Sequence, residues 1–288
     1  MRLRAHCVLL SLALLAGLRA PAWAWGCKGH EVIALIAAAH LSPAAAARVR
    51  RILAVAPGGP RPRHPCRGAA ALPAMARVAG WADAVRTPAT EGFHFVDLPL
   101  DARRDRFNYA RLCQSDCLSA ALARFVAALQ SSATPPRQRA VALRYVIHLV
   151  GDAFQPLHVS NDADRGGNCV RTRLPHQRYT SNLHADWDSR FLGAAVGTES
   201  VPAYARQLDR RFGRRYAQGS LRPLDWIWAS HALAVHDAYA PLHLAPGCHW
   251  RPLRLSRAYE RQSQQVVARQ LDRAGWRLAA LLNHILAG

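Results

Sequence analysis

Lysine is almost missing from this chain: Lys28 is the only one among 38 lysine and arginine residues. Acidic residues are also scarce, at 18, which leaves a formal charge of +20. An arginine- and alanine-rich composition of this kind is what a GC-rich genome produces. Whatever its origin, the charge suits polyanionic partners such as nucleic acid, or an anionic surface. Beyond residue 24 no stretch is long and uncharged enough to span a bilayer, which excludes a helical membrane span. No internal repeat, linker or low-complexity tract is present, and strand-like alternation nowhere persists. What is there is a core: 51% of the 288 residues are hydrophobic, so global disorder is excluded and one mainly α domain is the economical reading.

Residues 1–24 stand apart from that domain. Arg2 and Arg4 form a basic start, Val8 to Leu15 an apolar run, and Ala22-Trp23-Ala24 a small-residue cleavage signal. This predicts a signal peptide cut after Ala24, a functional domain over 25–288, and a periplasmic or secreted protein. Trp25 would become the N-terminus, with an α-amine of ordinary pKa about 7.7–8.0 that a nearby cation easily deprotonates. Subtracting Arg2, Arg4 and Arg19 takes the charge from +20 to +17. The cut also removes Cys7 and leaves Cys27, Cys66, Cys113, Cys117, Cys169 and Cys248. An even number in an oxidising compartment predicts up to three disulfides rather than thiolate metal sites. Cys113 and Cys117 are close enough to bridge locally; spacing leaves the other pairings open.

Helical signals dominate the rest. Glu31 to His40 has helical apolar spacing, and Ser42-Pro43 supplies a cap and a first-turn proline for the next helix. Residues 57–68 read as a loop, and Ser115 to Leu129 as an amphipathic helix. Arg137 to Asp152 reads as an apolar helix ending near Pro156, and Ser256 to Leu286 as a long amphipathic one. Phe93 to Leu98 suits a short extended piece. Gly166-Gly167-Asn168 marks a tight turn in a loop to about Tyr179, after which a helix starts near Asn182.

Five segments carry chemistry: Trp25-Gly-Cys-Lys-Gly-His30, Trp81-Ala-Asp83, Phe93-His94-Phe95, His148-x3-Asp152-x5-His158 and His184-x3-Asp188. The His148/Asp152 and His184/Asp188 pairs each leave one helix face a turn apart. A lone histidine on an apolar helix is usually a core residue. Imidazoles and carboxylates converging from several segments are instead what a zinc cluster needs. His40, His176, His236 and His249 lack such spacing and read as structural or solvated, and His64 is set aside as a ligand.

Together with Arg86, Asp97, Gln155, Pro156, Leu157, Gly166-Gly167-Asn168 and Asn182-Leu183, these motifs resemble the zinc-dependent single-strand nuclease family, part of the phospholipase C/nuclease superfamily. The resemblance covers essentially all of residues 25–288. It implies a single-domain helical phospholipase C/nuclease-like fold with a trinuclear zinc cleft. Three Zn2+ ions are implied, the first held by Asp83, His94, His148 and Asp152. The second would take the amine and carbonyl of Trp25, with His30 and bridging Asp152, and the third His158, His184 and Asp188. No ligand position is substituted.

The implied activity is endonucleolytic hydrolysis of single-stranded DNA and RNA to 5′-phosphorylated products, with 3′-nucleotides as further substrates. A hydroxide shared by two zinc ions would attack phosphorus, with Asp83 and Arg86 in the catalytic centre and Arg86 neutralising charge on phosphorus. Phe95 would stack on the base, Asp97 accept hydrogen bonds from it, and Asn168 help form the pocket. The packing alternative for Phe95 and a turn-capping one for Asp97 before Pro99 stay open. Expected partners are limited to these substrates: no stable protein partner, and a monomer. Two other readings share parts of the pattern. A zinc phospholipase C-type phosphodiesterase would have its Trp further from its first His and usually Glu as final ligand, where Asp188 stands here. A non-catalytic nucleic-acid-binding protein with structural zinc would hold it with Cys and His, not with carboxylates.

Overall fold

The computed structural model describes residues 25–57, 66, 68–113 and 116–286. The expected signal peptide, its cleavage site and most of the loop expected at 57–68 lie outside these residues.

The expected helix at Glu31 begins earlier, as α1 (Gly26–Ala39). Trp25 opens it in a left-handed conformation, φ 34°, rare for so bulky a residue, and Gly26 follows at φ 49°. Ser42 caps α2 (Pro43–Ala54) by accepting the Ala45 N–H at 3.2 Å, with Pro43 in the first turn. Short helices α3 (Ala74–Arg77), α4 (Trp81–Ala84) and α5 (Tyr109–Cys113) connect to α6 (Leu118–Gln130) and α7 (Pro136–Ala153). After the loop region come α8 (Leu183–Ala185) and α9 (Phe191–Val196), joined through a π-helical turn at Asp186–Arg190. Then α10 (Val201–Phe212), α11 (Pro223–Leu233) and the thirty-residue α12 (Arg257–Leu286) complete the chain.

The core forms where α1 and α7 pack on α12, with α2 and α6 on the flanks. Ile33, Ile36, Leu143, Val146, Leu271, Leu278 and Leu282 are buried there. This is the mainly α fold expected. Every turn of α7 from Ala140 to Ala153 is buried except at Val141, so α7 is a central helix rather than a surface one.

Two local expectations changed. Glu91–His94 is a 3-10 turn, and only the residues after it are extended. That extended backbone pairs with a loop instead of a strand: Val96 N–H donates to the His158 carbonyl at 2.8 Å and Asn161 N–H to that of Leu98 at 2.9 Å. The loop expected after Asn168 contains β1 (Val170–Arg173), the centre of a small sheet of order β2-β1-β3, with β2 at Ser181–Asn182 and β3 at His249–Arg254. β1 is antiparallel to β2 and parallel to β3.

All six cysteines among the described residues pair, as Cys27–Cys66, Cys113–Cys117 and Cys169–Cys248. The first ties the start of α1 to the segment before α3; the third ties the entry of β1 to that of β3. No helix among the described residues is long and apolar enough to cross a membrane.

Candidate metal centre and adjoining pocket

The last two turns of α7 present His148 and Asp152 on one face, both fully buried. The His30 ring, from α1, stacks on that of His148 at 3.8 Å between centroids. It fits because residue 151 is glycine: a Cβ there would lie 2.8 Å from His30 Nδ1. Asp83 arrives from α4 and His94 from the 3-10 turn. His94 Nδ1 lies 3.1 Å from Asp152 Oδ2, 3.2 Å from His148 Nε2 and 3.6 Å from Asp83 Oδ1. Asp152 faces two ways, since its Oδ1 lies 3.4 Å from His30 Nε2 while Oδ2 faces His94 and His148.

A second grouping lies beyond the end of α7. His158 and His184 bring their Nε2 atoms within 3.1 Å of each other, and Asp188 Oδ2 lies 3.2 Å from His184 Nε2. The π-helical turn containing Asp188 keeps it on the face of His184.

Backbone carbonyls orient the rings. Nδ1 of His148, His158 and His184 meets the carbonyls of Ala79, His94 and Gly166 at 2.8, 2.7 and 2.7 Å. A carbonyl only accepts, so each Nδ1 carries the proton and each Nε2 turns inward as a donor to a cation. Gln155 adds a side-chain support: its Nε2 donates to Asp188 Oδ1 at 2.5 Å, while its Oε1 accepts Leu157 N–H.

These residues fit metal ions. His30 Nε2, Asp83 Oδ1, Asp152 Oδ1 and Asp188 Oδ2 are buried without a hydrogen-bond partner. Leaving such atoms unsatisfied costs about 1–3 kcal/mol each. Their separations from neighbouring donors, 3.2–3.6 Å, match the edge of about 3.3 Å that tetrahedral coordination at about 2.0–2.1 Å requires. Three groups form in this way: His30, His148 and Asp152; Asp83, His94 and His148; and His158, His184 and Asp188.

Electrostatics agree with the geometry. Burial alone would strip the proton from His148, but Asp152 and Asp83 overcome it and raise its pKa to about 9. His158 is likewise raised to about 9, against burial, by Asp188 and Asp152. His30, penalised by burial and by the neighbouring His148, falls to about 3. Burial pushes Asp188 upward, but His184 and His158 outweigh it and hold it at about 2. The carboxylates are thus held anionic, and the positive charge of His148 and His158 is favoured while burial disfavours it on His30 and His94.

A pocket of about 240 Å³ opens beside these groups, lined among others by Arg86, His94, Phe95, Asp97, Asn168 and His184. Arg86 Nη1 lies 3.9 Å from Asp83 Oδ1. Phe95 and Asp97 are half-buried. Burial raises the pKa of Asp97, and a hydrogen bond from Asn161 counters it. Asn168 Nδ2 donates to the Arg165 carbonyl at 3.0 Å, so half of its amide serves the turn. Trp25 is fully buried, its Nε1 donating to the Gly151 carbonyl, while its own carbonyl accepts Gly29 N–H at 3.1 Å.

Sequence reading missed Glu91, Asn161 and Arg165 as pocket residues, and the roles of Gln155 and Gly151. Asn161 Oδ1 accepts the N–H groups of Asp164, Arg165 and Gly166, which shapes the pocket wall. Its place three residues after His158 was the available signal. Gly166, at φ 61°, packs so closely that a Cβ would meet the Leu157 carbonyl at 2.7 Å.

The S1/P1 Nuclease family profile matches residues 25–287. The chain is 26% identical to Endonuclease 2 of Arabidopsis thaliana over 283 residues, covering 91% of this chain and 90% of that protein. It is 27% identical to Nuclease P1 of Penicillium citrinum, covering 91% and 97%. To Nuclease S1 of Aspergillus oryzae it is 28% identical, covering 91% and 92%.

Proposed function

Because the chain belongs to the S1/P1 nuclease family, we propose that it is a zinc-dependent endonuclease that prefers single strands. It hydrolyses phosphodiester bonds of DNA and RNA to 5′-phosphorylated products, and releases phosphate from 3′-nucleotides. The observation that carries this reading is the shared carboxylate of Asp152. Its two oxygens face separate sets of histidines, beside a pocket sized for one base.

In this reading Asp83, His94, His148 and Asp152 hold one ion. Trp25, His30 and Asp152 hold a second, and His158, His184 and Asp188 a third. When bound, such ions lower the pKa of water and offset the charge of a phosphodiester. The chain's own residues do the rest. Arg86, kept beside Asp83, offers its free guanidinium N–H groups to the phosphoryl oxygens as negative charge builds on them. Phe95 stacks on the base next to the cleaved bond. Asp97 and the free Oδ1 of Asn168 accept hydrogen bonds from its edge. A base enters a pocket of this size only when unstacked and unpaired, which selects single strands over duplex. The Asp83 and Asp152 carboxylates stay anionic because His148 lies between them, so the site is ready for cations at neutral pH.

Export from the cytoplasm belongs to the same proposal. Three disulfides, and a family match that begins at Trp25, support removal of residues 1–24 and a periplasmic or secreted location. The test is release of acid-soluble nucleotides from denatured and from native DNA, with and without chelator. The expected result is release from denatured DNA that chelator abolishes and zinc restores. No release by zinc-loaded protein beginning at Trp25 would sink the proposal.

A further inference from the structure

The small sheet carries a surface that the pocket does not account for. Between the register pairs Val170–His249 and Thr172–Leu253, β1 advances by two residues and β3 by four. A bulge of this kind throws its extra residues outward and re-aims their side chains. Here it exposes Trp250, which is 66% solvent-accessible, together with Arg251 and Pro252. Trp250 makes no ring contact among the described residues. Its large apolar face is therefore open to stack on a ligand.

Its surroundings are cationic. In the parallel register Arg173 of β1 stands directly opposite Arg254 of β3. Like charges placed opposite one another on a sheet repel. Even so, neither has an acidic partner among the described residues, and Arg173 Nε is buried with no hydrogen-bond partner at all. Arg171 and Arg251 are exposed on the same strands, and Arg171 has only the Thr180 hydroxyl, at 3.4 Å. An anionic ligand laid across the strands would offset the charge that these arginines gather.

The sheet is also a continuation of the pocket. Asn168 lines the pocket and Arg171 follows three residues later, about 10 Å along an extended strand. The Cys169–Cys248 disulfide and the His249 N–H to Cys169 carbonyl bond, at 3.0 Å, fix β3 to that exit.

We infer that the β1–β3 face is a strand-tracking surface for single-stranded nucleic acid. Trp250 stacks on an unpaired base, and Arg171, Arg173, Arg251 and Arg254 pair with phosphates a few nucleotides from the bond being cut. The inference rests on the proposed nuclease activity for its occupant, but not for its test. An aromatic platform flanked by arginines binds single strands with little sequence preference, whereas duplex offers no free base face.

The test uses zinc-loaded protein and two substrates, a long oligothymidylate and a thymidine dinucleotide. Trp250→Ala is expected to raise KM for the long strand about fivefold or more, leaving kcat and all dinucleotide kinetics unchanged. Trp250→Phe, which keeps a stacking ring, should restore most of the loss. Arg251→Gln should reduce by about 0.7, one phosphate contact on a single strand, the slope of log affinity against log salt for the long strand. A second arm measures binding of a long phosphorodithioate oligothymidylate, which resists cleavage, so the surface is tested even if neither substrate is cut. Failure to cut either one overturns the nuclease reading alone. Unchanged KM and binding for the long strand in Trp250→Ala overturn the inference. So does an equal loss on the dinucleotide, or binding of phosphatidylglycerol vesicles that depends on Trp250 while strand binding does not.

Discussion

The indole N–H of Trp25 donates to the carbonyl oxygen of Gly151 at 2.8 Å, joining the start of α1 to the last turn of α7. The same glycine leaves room for the His30 ring. One α7 residue therefore seats both Trp25 and His30. Gly151→Ala places a methyl 2.8 Å from His30 Nδ1 and 3.1 Å from Ile33 Cδ1, in a helix with no slack. The expected outcome is loss of a metal equivalent and a fall in activity of about a hundredfold. Metal content by mass spectrometry together with kcat checks it; a fully loaded, fully active variant would refute the role given to His30.

If Trp25 contributes its α-amine to the second ion, its nitrogen must be a free terminus. A chain that keeps one extra residue before Trp25 is expected to bind fewer ions and lose most activity, while folding normally by circular dichroism. Full activity in that chain would remove Trp25 from the ligand set.

Gln155 is not among the residues that would hold an ion, yet it holds Asp188 through a 2.5 Å hydrogen bond. Gln155→Ala should lower activity or affinity for the His158, His184 and Asp188 ion by about 10–100-fold, the usual cost of losing an outer support. Gln155→Glu should be no better, because a carboxylate has no N–H to give. Zinc titration of both variants separates this role from a packing role, which Glu would largely preserve.

Far from the site, Asp272 on α12 is fully buried and neither carboxylate oxygen has a partner. Burial, with Asp209 nearby, raises its pKa to about 7 from 3.8. The folded protein therefore binds this proton more tightly than the unfolded chain, and stability falls as pH rises from about 4 to about 7. Asp272→Asn should leave Tm little changed at pH 4 and raise it at pH 8. The expected gain is at least about 2 °C, what about 1 kcal/mol produces in a domain of this size. An equal gain at both pH values would rule out ionisation as the cause.

The Cys27–Cys66 disulfide closes a 39-residue span beside α1, and a Cβ on Gly80 would lie 2.5 Å from Cys66 Sγ. Replacing both cysteines by serine is expected to cost about 2–5 kcal/mol and lower Tm by roughly 5–15 °C. Differential scanning calorimetry of the oxidised wild type against the double variant measures it.

Much of this architecture was legible in residue spacing. His148 and Asp152 announce their shared face because helical geometry is local, and Ser42-Pro43 announces its cap for the same reason. The pairing of Cys27 with Cys66, and of Cys169 with Cys248, was not legible, since nothing local relates those positions. β1 and β3 escaped notice because their pairing spans a long stretch of chain and a bulge breaks the alternation. The Phe93–Leu98 stretch was half right. Its backbone is extended after His94, but it bonds to the turn beyond α7, a partner that only the tertiary fold supplies. Arg165 and Asn161 entered the pocket through a loop whose left-handed residues no periodicity reports.

The three groups that could hold metal draw on residues from His30 to Asp188, so no short stretch of chain can hold the cluster by itself. Helices α1, α4 and α7 must dock, closing long loops, before the donors meet. The centre can therefore assemble only once those helices have come together. Ions bound there would stabilise contacts that form only after docking, and so would slow unfolding more than they hasten folding. Bound ions would then make the cluster a kinetic lock on the finished fold, lengthening the life of the folded chain.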